Sequence, residues 1–241
     1  MHTETLDYRD GELVCEGFIA AADTAAGAKR PAVLVAHAWA GQDDFARDKA
    51  RMLAQLGYVG FALDIYGKGR RGNSPQENSA LMQPFVDDRR LIRRRLHAAV
   101  AAASAHRLVD PQRIAAIGFC FGGMCVLDLA RSALPAVRGV VSFHGLLGAP
   151  GIAPQPPITA KVLVLHPYDD PMATPDHVRT LATELTQAKA DWQIHMYGHT
   201  LHAFTNPQAN DPGSGLRHDP KVARRAFASM EAFLAEALGA T

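Results

Sequence analysis

One junction constrains this chain more than any other feature. The apolar run Ile114–Ile117 passes into Gly118-Phe119-Cys120-Phe121-Gly122-Gly123, and an apolar helical pattern starts at about Phe121. A strand that turns sharply into a helix is half of a parallel βαβ unit, and the rest of the chain repeats that alternation. Ala32–Ala36, Tyr58–Leu63, Val137–Phe143, Val162–Leu165 and Trp192–Tyr197 read as further strands. They are mostly continuous apolar runs, as in sheets covered on both faces. Between them, Phe45, Ala46, Ala50, Leu53 and Leu56 fall at helical spacing, as do Leu91, Ile92, Leu96 and Val100 after Pro84. Thr174-Pro175 and Asp219-Pro220 are helix start signals, and Gly239 is a stop. Tyr8 to Ala20 alternates around Asp10-Gly11, a hairpin signal. The expected class is α/β: a mostly parallel central sheet with helices on both faces, preceded by an N-terminal hairpin. No linker or internal repeat divides residues 1–241, so one domain is expected.

Composition excludes several function classes. Lys+Arg is 25 against Asp+Glu 24, giving a net charge of +1. That balance argues against a nucleic-acid partner. The basic run Arg89, Arg90, Arg93, Arg94, Arg95 reads as a solvated helix face. Three cysteines in 241 residues cannot form a disulfide framework and suggest free thiols in a reducing compartment. The N-terminus lacks the basic and apolar regions of a signal peptide, and no long uncharged apolar run suggests a membrane span. A soluble cytoplasmic protein, monomer or homodimer, is expected.

The turn after Ile117 has the context of a nucleophile elbow, G-x-S-x-G, with Cys120 in the serine's place. Side chains two residues either side of such a nucleophile collide, which explains Gly118 and Gly122. The helix N-terminus beneath Cys120 favours a thiolate, and its free N–H groups can receive an oxyanion. An acid and then a base should follow in chain order, each after a strand. His166-Pro167-Tyr168-Asp169-Asp170-Pro171 follows one strand, and Gly198-His199-Thr200-Leu201-His202-Ala203-Phe204 follows the next. Asp169 competes with Asp170, and His199 with His202. His199 and His202 lie three apart, but no third metal ligand of fitting spacing appears. Cys15 and Cys125 have no comparable setting and read as core. His144 and His166, at strand ends, read as structural or rim residues.

The elbow, Asp64-Ile65-Tyr66-Gly67, Asp170-Pro171 and His202-Ala203-Phe204, in that register, resemble the dienelactone hydrolase family, a Cys-nucleophile branch of the α/β hydrolases. The resemblance runs from about Leu34 to Leu238. It implies the α/β-hydrolase fold and a triad of Cys120, His202 and Asp170 that cleaves small-molecule esters or lactones, with no metal or organic cofactor. It also implies oxyanion donors at the Phe121 and Trp39 N–H groups. Two departures stand out. Where relatives often carry a Glu in the first strand's loop, this chain has Ala38 in His37-Ala38-Trp39-Ala40-Gly41. Where the dienelactone enzymes place an Arg four residues after the histidine, it has Asn206. Arg70 and Arg71, in the long loop Gly67–Asn78, are candidates for holding an anionic substrate group. With Asn206 and Tyr168 they are the expected substrate contacts.

Overall fold

The apolar runs become a single eight-stranded sheet in the computed structural model, which describes residues 1–23 and 29–239. In chain order the strands are β1 (His2–Asp10), β2 (Leu13–Ala21), β3 (Arg30–Ala36), β4 (Val59–Ala62), β5 (Val109–Phe119), β6 (Val137–Phe143), β7 (Lys161–Pro167) and β8 (Trp192–Tyr197). Their spatial order is β1-β2-β4-β3-β5-β6-β7-β8. β1 and β2 form the expected antiparallel hairpin, with Asp10 opposite Leu13 and Gly11 in a left-handed conformation at the turn. β2 also runs antiparallel to β4, and every later pairing is parallel. The chain winds one way from β3 to β4 and the other way from β5 onward, so β3 and β5 flank the switch point. In open α/β sheets that is where ligands bind, outside the strands' carboxyl ends.

Helices α1 (Asp44–Gln55), α2 (Pro75–Asp87), α3 (Arg89–Ala105), α4 (Phe121–Arg131), α5 (Pro175–Gln187) and α6 (Pro220–Leu238) cover both faces. Alternate residues of β3 show why the strand is apolar throughout. Ala32, Leu34 and Ala36 enter a core shared with α2, α3, α4 and α5, while Val33 and Val35 enter one shared with α1 and α6. On α1 the buried set is Ala46, Ala50, Leu53 and Ala54; of the stripe read from the sequence, Ala46, Ala50 and Leu53 are buried, Phe45 is half-buried, and Leu56 is exposed at the helix's end. Truncating Leu53 to Ala there should cost about 2–5 kcal/mol.

Three expectations need correction. The stretch read as loop up to Asn78 already contains the start of α2: Ser74 Oγ accepts from the Glu77 N–H, and Pro75 occupies the first turn. Pro84 lies inside α2 rather than ahead of the next helix, which instead begins at Arg89 with Asp88 as its cap. Nor is the arginine run simply a solvated face. Arg89 Nε donates to Asp128 Oδ2 at 2.6 Å, and Arg95 is buried and pairs with Asp10. Asp128 also holds the buried Arg131, which reaches Glu184 at 2.7 Å and the Leu147 carbonyl at 3.2 Å. This network ties α3, α4 and α5 to the connection between β6 and β7, which has no helix of its own. Removing Asp128 would leave Arg89 without its carboxylate partner while Arg131 keeps Glu184, a loss of about 3–5 kcal/mol.

Candidate active site

The elbow forms where the sequence places it. β5 ends at Phe119, α4 starts at Phe121, and Cys120 between them adopts φ 55° and ψ −115°. A non-glycine residue at positive φ is strained, and such strain collects at functional sites. The flanking glycines are sterically required: a Cβ on Gly118 would lie 2.0 Å from the Gly122 carbonyl oxygen, and one on Gly122 would lie 2.2 Å from the Ala36 oxygen. The second contact presses the elbow against the end of β3. Cys120 N–H donates to the Phe143 carbonyl at 3.1 Å, which fixes the turn to β6, and the Cys120 side chain stays partly exposed. Cys15 and Cys125 are buried, and burial pushes both thiols up, Cys15 to about 12.

The loops after β7 and β8 bring acid and base together. His202 Nδ1 lies 2.7 Å from Asp170 Oδ2, with both side chains buried. Asp170 Oδ1 accepts from the Met172 N–H at 2.8 Å, so both carboxylate oxygens are engaged. Asp169 is exposed and separates from Asp170 in this respect. His202 is clamped by its own backbone: its N–H donates to the Gly215 carbonyl and its carbonyl accepts from the Arg217 N–H. Those partners belong to a small excursion made of β9 (Asn210–Asp211) and β10 (Leu216–Arg217). Gly215 packs against Pro171, with room for no Cβ (2.3 Å), which locks the acid's loop to the base's loop. His199 is exposed and takes no part in this arrangement. Among the described residues, no group of three or more His, Cys, Asp or Glu is disposed to hold a metal ion.

The second ring nitrogen of His202, Nε2, is buried with no hydrogen-bond partner among the described residues. Burial alone would lower this imidazole, but the charge of nearby Cys120 and the hydrogen bond to Asp170 outweigh it and raise His202 to about 10. The ring thus favours its protonated form.

Around the pair stand residues to which the sequence reading gave no such role. His144, at the end of β6 with φ 37°, sets its ring edge-on to His202 at 5.0 Å, and its Nε2 is 2.8 Å from Thr205 Oγ1. Burial and the neighbouring His202 hold His144 well below the usual imidazole range. His166 Nε2 donates to the Ala173 carbonyl at 2.8 Å, and burial lowers it too. On the β3 side, the buried His37 touches Tyr66 edge-on, and Tyr66 Oη donates to the Trp39 carbonyl at 3.0 Å. For His37 and His144 the available signal is position: each is the first residue past an apolar strand's carboxyl end, whereas His166 lies within β7.

The expected substrate contacts divide. Arg71 donates through Nε to the Gln42 carbonyl, through Nη2 to Gln42 Oε1 at 3.2 Å and through Nη1 to the Arg70 carbonyl, so its guanidinium is committed to the loop. Arg70 is exposed. Asn206 Oδ1 caps a turn by accepting from the Gln208 N–H at 3.0 Å. Tyr168 is half exposed, on the loop that carries Asp170. The Trp39 and Phe121 N–H groups have no protein acceptor among the described residues.

Comparison with known proteins places this fold in a family. The family model described as "Dienelactone hydrolase family" matches residues 16–238. A dienelactone hydrolase-like promiscuous phosphotriesterase from metagenomic libraries superposes with a TM-score of 0.92 at 35% identity, covering 98% of both chains. A carboxymethylenebutenolidase of Rhodococcus opacus is 27% identical over 190 residues, 74% of this chain and 73% of that protein. A probable 2-oxo-3-(5-oxofuran-2-ylidene)propanoate lactonase of Bradyrhizobium is 28% identical over 184 residues, 72% of this chain and 73% of its own.

Proposed function

This chain belongs to the dienelactone hydrolase family, with the α/β-hydrolase fold, and on that premise we propose that it cleaves small-molecule esters or lactones through Cys120, His202 and Asp170. The observation that carries the reading is His202: its Nδ1 is held at 2.7 Å by a buried carboxylate, its Nε2 has no hydrogen-bond partner among the described residues, and Cys120 lies near enough to act on the ring's charge. That is the disposition of a base oriented by an acid and aimed at a nucleophile.

The chemistry follows from the atoms. Cys120 Sγ, paired with the imidazolium, attacks the carbonyl carbon. The developing oxyanion is met by the Phe121 and Trp39 N–H groups. The carbon–oxygen bond breaks, and His202 Nε2 gives its proton to the departing alkoxide. In a lactone that alcohol stays attached to the acyl group. Water then loses a proton to Nε2 and attacks the thioester, expelling the thiolate and leaving the acid. Asp170 fixes the tautomer and supports the imidazolium throughout. Ala38 and Asn206 offer no charge, and Arg71 is committed to Gln42. Neutral substrates therefore fit better than ones with an adjacent carboxylate.

A second substrate class is favoured by the 35% identity to a promiscuous phosphotriesterase over almost the whole chain. A neutral phosphotriester, like a neutral ester, develops negative charge on one oxygen as the nucleophile adds. The test is turnover of aryl esters, thioesters, unsaturated lactones and an aryl phosphotriester by the wild type and by Cys120→Ala. Carboxylic ester or lactone turnover that disappears in Cys120→Ala is expected. Equal turnover in both proteins would remove Cys120 from the reaction.

A further inference from the structure

We infer that His37 is a positioning residue for the oxyanion hole, acting by orienting the peptide that carries the Trp39 N–H. The inference rests on the acyl-transfer reading above and adds a residue to it.

The hydrogen bonds around His37 leave one tautomer. The Ile65 backbone N–H points at Nε2 from 3.1 Å, so Nε2 must accept and carries no proton. Nδ1 lies 2.7 Å from the Ala38 carbonyl oxygen, an acceptor, so Nδ1 must carry the proton and donate. The ring is neutral with both nitrogens satisfied. Protonation would set an N–H against the Ile65 N–H. Burial acts in the same direction and lowers His37.

The bond to Ala38 has a consequence one atom further on. The Ala38 carbonyl and the Trp39 N–H belong to one peptide unit. That unit is trans, because the only cis bond among the described residues is Ala153-Pro154. In a trans peptide the C=O and N–H point in opposite directions. The Ala38 oxygen is held twice, by His37 Nδ1 and by the Gly41 N–H at 3.2 Å. Fixing the oxygen therefore fixes the Trp39 N–H away from it, with no protein acceptor of its own among the described residues. The next peptide is pinned as well, by Tyr66 Oη on the Trp39 carbonyl at 3.0 Å.

His37 also touches the other half of the hole. Its ring lies 6.2 Å from the ring of Phe121, whose N–H is the second donor. The Gly122 backbone packs against the carbonyls of Ala36 and His37, at a distance no Cβ could share. One buried ring thus links the β3 loop, the Asp64–Gly67 turn and the elbow. Its protons do not move in the reaction. Its contribution is a donor set aimed before the substrate arrives, which is where oxyanion stabilisation originates.

The test uses the whole chain with His37→Asn, His37→Gln and His37→Phe. Asn places an amide N–H near the Nδ1 position and keeps the bond to Ala38. Gln places its amide near Nε2 and loses that bond, and Phe loses both. Three readouts are taken: kcat and KM on one neutral aryl ester, the rate of Cys120 alkylation by iodoacetamide, and the melting temperature. Alkylation displaces iodide from a saturated carbon and forms no oxyanion, so it reports on Cys120 and His202 alone. The expected result is a kcat lowered about 10- to 100-fold in His37→Gln and His37→Phe. KM and alkylation should stay within about twofold, with His37→Asn retaining most of the wild-type kcat. Unchanged kcat in a folded His37→Phe or His37→Gln overturns the inference. So does a parallel fall of alkylation and kcat, or a His37→Asn as impaired as His37→Gln. Ester turnover that survives Cys120→Ala would instead overturn the underlying acyl-transfer reading, whatever the His37 variants do.

Discussion

His37 and His202 are equally buried, at 1% exposure each, and sit on opposite sides of the elbow. His37, after β3, lies between a backbone N–H and a backbone carbonyl, and it is held neutral. His202, after β8, lies between a carboxylate and a thiol, and it is pulled toward its charged form. Burial is the same, so burial cannot set the difference. The neighbours do: dipoles on the β3 side fix a proton in place, whereas charges on the β8 side make a proton available. The β3 side is built for geometry and the β8 side for proton transfer.

That contrast breaks first at the base. His202→Ala should lower kcat/KM by about 10³ or more and should slow Cys120 alkylation as well. In His37→Phe only the first of these should move. A His202→Ala enzyme whose alkylation rate is unchanged would mean that the imidazole does not act on the thiol.

Asp170→Asn is next in size, with a fall of about 10² to 10⁴ in kcat. Asp169→Asn, exposed one residue earlier, should stay within about threefold. Steady-state kinetics of the two variants decide this, and a reversed order would hand the orienting role to Asp169.

Acid should act through the neutral histidines. His37, His144 and His166 are all lowered, with burial as the first cause. Above the unfolded imidazole value of about 6.5 they are neutral in both states, and stability is unaffected by them. Below it the unfolded chain takes up protons that the folded one refuses. Each group then removes up to about 1.4 kcal/mol per pH unit until its folded value is reached. Urea unfolding between pH 7 and 5 should show this loss, and His144→Phe, if folded, should reduce the slope. A slope unaltered in that variant would mean His144 is not buried neutral.

The smallest expected effect is on specificity. Asn206→Arg should raise kcat/KM for an anionic ester relative to a matched neutral one by about tenfold. The gain is modest because Asn206 caps a turn that an arginine cannot cap. Measuring the pair in both proteins at two salt concentrations checks it. A wild-type preference for the anion that vanishes in Arg70→Ala would show that the loop already supplies the cation.

Much of this was legible in the residues. Strand cores reveal themselves where both faces are buried: β6 runs from Val137 to Phe143, as its apolar run indicates, while β8, at the sheet edge and only partly buried, still spans Trp192 to Tyr197 as read. The elbow is legible because two backbone collisions admit only glycine at Gly118 and Gly122. α2 was obscured by Pro84, which reads as a breaker but sits near the helix end, and by a start signal at Ser74-Pro75 inside a polar stretch. The arginine run misleads for a different reason. Sequence shows five like charges, while the acids that bury Arg89 and Arg95, Asp128 and Asp10, come from distant segments. His37 is the least legible of all. Its role depends on which way two backbone groups point, and no spacing in the chain encodes that.

The most direct measurement is the identity of the covalent intermediate. An aryl ester with a slowly hydrolysed acyl group would be mixed with the enzyme, quenched in acid within the first turnovers, and digested for peptide mass mapping. A Cys120 nucleophile predicts the acyl mass on the peptide containing Gly118–Gly123, its loss on treatment with hydroxylamine, and its absence in Cys120→Ala. A burst of released alcohol with the acyl group on any other residue, or steady turnover in Cys120→Ala at the wild-type rate, would contradict it.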